Sequence, residues 1–265
     1  MRLTIAHHAG YQYDAAINHS IQYLRLTPRS SARQQVLDWQ LRMPARPQRL
    51  TDGYGNILDV LTIDAPHQAL DVEVCGEVEI SGRDEQEPDV VAPAVFLRAT
   101  PLTSIGPNLQ QFLCSFRRDQ PPTLVTLTRL MHQLLLAVPV GTGLPGQSAE
   151  VAFAAGSGLS PDHVHIFVAC CRALGIPARY ISGYIDSRGS AGIAAHAWAE
   201  AWIDGLWRTF DVTHALTSPS CHLKLAVGLD YLDACPVRGA RLGNNGSELL
   251  AAYALAGVTA HHASQ

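Results

Sequence analysis

The chain has 265 residues, of which 47% are hydrophobic and 16% charged, and a formal net charge of −4. That length supports a full core in one large domain or two modest ones, and so apolar a composition excludes a disordered chain. Eighteen arginines against a single lysine, Lys224, are scattered along the chain, so nothing indicates a surface for nucleic acid or anionic membrane.

The opening MRLTIAHHAGYQYD lacks an apolar signal core and a small-residue cleavage site, and no run reaches the ~20 apolar residues that span a bilayer. A soluble, cytoplasmic protein is expected. Its six cysteines, Cys75, Cys114, Cys170, Cys171, Cys221 and Cys235, include no CxxC pair and are expected as free thiols.

Residues 1–90 read as strands. Leu37, Trp39, Leu41 and Met43 alternate with polar residues, as do Leu70, Val72, Val74, Gly76, Val78 and Ile80. Such period-2 patterns imply antiparallel strands with one buried face, and a small β-sandwich is predicted. Asp52-Gly-Tyr-Gly-Asn56 is a turn between strands. Residues 83–108, acidic and proline-bearing, suit a connector. From about residue 122 the period becomes helical through Leu124, Leu127, Leu130, Met131, Leu134 and Leu135. An irregular loop from Val138 precedes a short helix at 148–155.

Residues 156–184, GSGLSPDHVHIFVACCRALGIPARYISGY, are the most informative stretch. Ser160-Pro161 reads as a helix start with Ser160 as N-cap, and Asp162 suits the positive end of the helix dipole. The helix is apolar on most sides, so it is buried; Gly175 and Pro177 end it before a strand at 178–184. Asp204-Gly205 predicts a two-residue hairpin between 195–203 and 206–213. In that register His196 and Asp211 share a face as diagonal neighbours, with Trp198, Trp202 and Trp207 beside them. An imidazole held by a carboxylate is the base-and-orienter half of a hydrolytic triad.

The order Gly158-x-Ser160-x-Asp162, RALGIPARYISGY, His196-Ala-Trp198 and Trp207-x-x-Phe-Asp211-x-Thr213 resembles the bacterial transglutaminase-like proteins of the papain-like cysteine peptidase and transglutaminase superfamily. Gly228-Leu-Asp-Tyr231, Asp233 and Pro236 are similar to that family's closing segment. The resemblance implies an α+β fold: a β-rich N-terminal domain over 1–90, then a papain-like core over 91–265 with a buried helix packed on an antiparallel sheet. It also implies the roles of His196 as general base and Asp211 as its orienting carboxylate, with a peptide or protein amide as substrate or ligand.

The departure is at the nucleophile, where the family has Cys-Gln and this chain has Ser160-Pro161. A cysteine at a helix N-terminus beside His is activated as a thiolate, whereas a serine needs its proton removed during attack. Two adjacent changes favour divergence over a single replacement, although one sequence leaves the origin of Ser160 open. Three functions follow: a cleft that binds a peptide or amide-bearing ligand without thiol catalysis; an amide hydrolase or acyl transferase using Ser160, His196 and Asp211; or a structural protein whose conspicuous residues are core. Asp162, Trp198 and Trp207 are expected to support or wall the cleft.

No cofactor or metal is expected. His163 and His165 point about 200° apart on a helix. Asp162 and His165 could join His196, His214, Cys221 or His222 around zinc, but no HExxH or paired CxxC spacing supports such a set. His165 is expected to be hydrogen-bonded in the core, His261-His262 to lie in a polar tail, and Cys170 and Cys171 to be inert packing. The oligomeric state is left open.

Overall fold

A computed structural model describes residues 1–84, 90–117, 122–142, 146–186 and 192–243, and the backbone of 246–252. His261 and His262 lie outside the described residues. The architecture is α+β, a sheet-rich N-terminal region followed by a helix-on-sheet core. No helix among the described residues is long and apolar enough to cross a membrane.

Five strands come first: β1 (Arg2–Leu24), β2 (Gln34–Arg42), β3 (Gln48–Thr51), β4 (Ile57–Ile63) and β5 (His67–Ile80). The predicted sandwich is realised as one seven-stranded sheet, because β1 serves two neighbourhoods. Its residues 2–12 pair with β5, and after an irregularity its residues 20–24 pair with β4. Both halves feed one apolar cluster, which includes Leu3, Ile5, Leu24, Leu61, Val72 and Val74. The alternation in β5 holds from Leu70 to Ile80. In β2 it breaks at Leu37, which is exposed. A register shift between Val36 and Asp38 turns this extra residue outward, while Trp39, Leu41 and Met43 pack inward.

The remaining two strands of this sheet, β10 (Val237–Gly243) and β11 (Gly246–Ala252), come from the other end of the chain, with β10 antiparallel to β1. The sheet therefore crosses the division near residue 90 drawn from the sequence.

The core holds α1 (Pro107–Leu113), α2 (Leu124–Ala137), α3 (Ala149–Ala155), α4 (Ser160–Ala173) and a short α5 (Tyr231–Ala234). Its antiparallel sheet has the order β8-β7-β6-β9, formed by β6 (Ala178–Asp186), β7 (Ile193–Ile203), β8 (Leu206–Phe210) and β9 (His222–Gly228). Helix α4 is buried from Asp162 to Arg172. Ala197, Ala199 and Ala201 of β7 lie in the cluster that holds α4, and their small side chains let the helix approach the sheet closely. The other face of β7 carries His196, Trp198, Glu200 and Trp202, since successive side chains alternate.

Two observations join the N-terminal sheet to the core. The Gln34 amide exchanges two 2.8 Å hydrogen bonds with the Lys224 backbone, and the Asn56 amide does the same with Val227. These side chains cover the outer edge of β9, which an unpaired strand would otherwise expose. Glu200, fully buried, holds Arg33 at 2.6 Å, Arg179 at 2.6 Å and Lys224 at 3.0 Å. Neutralising that carboxylate leaves three cations packed around an amide. Glu200→Gln should lower the unfolding free energy by about 3–5 kcal/mol, as breaking a buried ion cluster does, read from urea denaturation.

Candidate active site

The start of α4 differs from the sequence expectation. Leu159 is the N-cap position, Ser160 is the first helical residue and Pro161 follows. The cap comes from Asp162 instead: its Oδ2 accepts the Leu159 N–H at 3.0 Å, and its Oδ1 accepts those of Gly146 and Gln147, each at 3.0 Å. A carboxylate satisfies several orphan donors at once where a serine hydroxyl satisfies one. Ser160 is thereby released from capping and lines a cleft. Asp162 is buried and ties the 146–147 segment to the start of α4.

The hairpin forms as predicted, with Ile203 opposite Leu206, Ala199 opposite Phe210, and Asp204 and Gly205 both at positive φ. It brings the His196 Nε2 to within 2.8 Å of the Asp211 Oδ2. Two further imidazoles reach the same oxygen: His222 through Nε2 at 2.9 Å and His214 through Nδ1 at 3.0 Å. The Asp211 Oδ1 accepts the His214 backbone N–H at 3.2 Å.

A carboxylate only accepts, so each ring must donate from the nitrogen that faces it. His196 then carries its proton on Nε2, and its Nδ1 is left as the basic atom. Burial alone would raise the Asp211 carboxyl, but the hydrogen bonds from His196, His214 and His222 outweigh it and hold the group well below the ordinary carboxylate range. His214 is raised above 6.5, chiefly by that same carboxylate. His222 is lowered because burial outweighs the carboxylate.

Sequence reasoning placed His196 and Asp211 together but named His214 and His222 only as candidate members of a zinc set, not as partners of Asp211. His214 could have been found as the third residue after Asp211 in a turn. His222 had no local signal, since it arrives on β9.

The cleft has a volume of about 240 Å³ and is lined by Ser160, Pro161, Tyr180, Gly183, His196 and Thr213, with Leu159 and Val140 among its apolar walls. No hydrogen bond joins the Ser160 hydroxyl to His196. Trp198 does not wall the cleft. It is buried behind the dyad, stacked on His196 at 6.2 Å between centroids. Trp207 is farther still, packed against Trp202 and Phe96 with the Arg179 guanidinium 4.0 Å from its ring centroid.

His163 and His165 diverge as expected and are satisfied separately. His163 Nε2 donates to the Val138 carbonyl at 2.8 Å, and its Nδ1 lies 3.0 Å from the Thr213 hydroxyl. His165 Nδ1 donates to the Gln147 carbonyl at 2.9 Å, and its Nε2 accepts the Tyr231 N–H. Asp162 and His165 thus have other partners than the zinc set considered from sequence. His196, Asp211 and His222 do converge, each offering one ligand atom within 4.8 Å of the others. All six cysteines are free; Cys170 and Cys171 are fully buried, with thiols pushed up by burial.

Comparison with known proteins agrees with this fold. Residues 3–79 match the family profile for the bacterial transglutaminase-like N-terminal region, and residues 117–212 match that for the transglutaminase-like superfamily. The chain is a bacterial transglutaminase-like protein. An uncharacterized protein of Mycobacterium leprae is 27% identical over 94% of this chain and 96% of its own. One of Mycobacterium tuberculosis is 27% identical over 90% and 87%. The crystal structure of a proposed cysteine protease from Cytophaga hutchinsonii shares the fold, with a TM-score of 0.77 at 21% identity over 100% of this chain and 92% of that one.

The imidazoles set the pH response. Burial lowers His7, His163, His165 and His222 below 6.5, so below that value the unfolded chain binds more protons and stability falls with pH. His214 acts oppositely: its contribution is complete below 6.5 and is lost as pH rises through its raised value. Urea midpoints should therefore drop between about pH 7 and pH 5, and His214→Gln should steepen that drop.

Proposed function

We propose that this transglutaminase-like scaffold binds a peptide or amide-bearing ligand in the Ser160–His196 cleft without the thiol chemistry of its superfamily. The observation that carries this reading is Ser160 itself: it lines the cleft with His196 yet makes no hydrogen bond to it. A cysteine here would be ionised by the helix terminus and the neighbouring imidazole, whereas a serine hydroxyl would stay protonated. Attack by serine requires His196 Nδ1 to take the proton as the bond forms, and donors to hold the resulting oxyanion. Pro161 has no backbone N–H, so the first turn of α4 offers one donor fewer at the cleft. What remains suits recognition: a concave, largely apolar surface with a hydroxyl and one imidazole for orientation.

A second reading, an amide hydrolase or acyl transferase with Ser160 as nucleophile, draws support from the Asp211-fixed tautomer of His196, which leaves a base aimed away from the carboxylate. The purely structural reading has less support, because neither Trp198 nor Trp207 fills the cleft.

Intact-mass analysis after treatment with a small fluorophosphonate distinguishes these readings. The wild type is expected to stay unmodified; an adduct that vanishes in Ser160→Ala would establish the serine enzyme instead. Ser160→Cys is expected to gain iodoacetamide reactivity at mildly acidic pH, at least ~10-fold faster than an ordinary thiol. The adduct must be mapped by peptide, because Cys75 and Cys114 are also exposed. An unreactive introduced thiol would mean that the site has lost more than its nucleophile.

A further inference from the structure

Asp211 is crowded beyond what orienting one imidazole requires. An orienting carboxylate needs one hydrogen bond to His196, but here His196, His214 and His222 place ring nitrogens 2.8, 3.0 and 2.9 Å from one oxygen. Asp211 and His222 are wholly buried, the His196 side chain is 5% exposed, and that of His214 is 39% exposed. The cluster is therefore a pocket of nitrogen donors with a carboxylate at its base and one imidazole at the solvent edge.

We propose that His196, Asp211, His214 and His222 form a binding site for one nitrogen-preferring transition-metal dication, of which Zn2+ is the representative, and that its occupancy silences His196 toward the cleft.

Three imidazoles and one carboxylate are a donor set that suits zinc and copper, whereas calcium and magnesium take oxygen-only shells. Metal bonds of about 2.0–2.2 Å place neighbouring donors of a tetrahedral site roughly 3.3–3.6 Å apart. The oxygen-to-nitrogen distances of 2.8–3.0 Å must open slightly, and the ligand atoms of His196, Asp211 and His222, which lie within 4.8 Å of one another, must draw in to reach that spacing. His214, partly exposed, is the ligand through which an ion would enter.

The consequence for the cleft follows from proton placement. A metal binds the lone pair of an imidazole, so at His196 the proton now on Nε2 must move to Nδ1. No proton is gained or lost by the ring, yet the cleft-facing nitrogen changes from acceptor to donor. The metal-bound and base-competent forms of His196 are mutually exclusive. One carboxylate neutralises only half of a dication, and Arg33 lies 5.7 Å from the ring centroid of Trp198, which itself packs against His222 at 4.8 Å. These charges favour reversible binding over a permanent structural ion.

Titration of metal-free protein with Co2+, followed by its visible absorption and by Zn2+ competition, tests the proposal. The expected result is one ion per chain with the intense bands of tetrahedral cobalt, and at least a tenfold loss of affinity in both His222→Gln and His214→Gln. His214→Gln alters a partly exposed residue and keeps the test decisive should His222→Gln fail to fold. Absence of binding, or binding unchanged in the His214 variant, overturns the proposal. The experiment uses native Ser160 and no cleft ligand, so its outcome is independent of whether the cleft binds a peptide.

Discussion

One carboxylate oxygen organises the centre of this protein. The Asp211 Oδ2 receives His196, His214 and His222, and those three bonds together keep a fully buried group ionised where burial alone would neutralise it. The dependence runs in both directions. An uncharged Asp211 would be a weaker acceptor for the buried His222 N–H; without the imidazoles, the charge would not survive. The tautomer of each ring, and hence what His196 can offer the cleft, is decided by that single acceptor.

The rest of the fold holds those donors still. His196 and Asp211 come from the β7–β8 hairpin, whose alanine face packs against α4, while His222 sits on the edge strand β9. An edge strand is the least constrained part of a sheet, and here Gln34 and Asn56 fasten it through side-chain amides. The N-terminal sheet therefore acts on the site at one remove: it fixes the strand that delivers the third imidazole. Glu200, two strand positions beyond Trp198 on the same face as His196, ties Arg33 of the N-terminal region to Arg179 and Lys224 of the core.

Beside this imidazole–carboxylate network, the start of α4 presents Ser160 and Pro161 to the cleft. Capping is done by Asp162, so Ser160 is not needed for the helix and stands at the cleft by position alone. Pro161 stiffens that turn and removes a donor. An imidazole network beside a serine that makes no hydrogen bond to it is the arrangement on which the proposed recognition cleft rests. It also leaves Asp211 and its three imidazoles available for an ion.

The sequence by itself determined the elements that local chemistry encodes. Period-2 alternation located β5, Asp204-Gly205 set the hairpin register through its positive-φ turn, and the mostly apolar run after Asp162 announced a buried helix. From that register alone His196 and Asp211 could be placed on one face. Other features depended on contacts between segments far apart in the chain. The cap of α4 could not be read from Ser160-Pro161, because the winning carboxylate also gathers N–H groups from 146 and 147. Leu37 could not be foreseen as exposed, because a bulge is fixed by the partner strand. Trp207 shared a face with His196 but was drawn toward Arg179 and Phe96. His222 reached Asp211 only because β9 pairs with β6 and not with its sequence neighbour β8. Local propensity writes strands, turns and helices into a sequence; which buried donors share one acceptor is decided only when the tertiary structure brings them together.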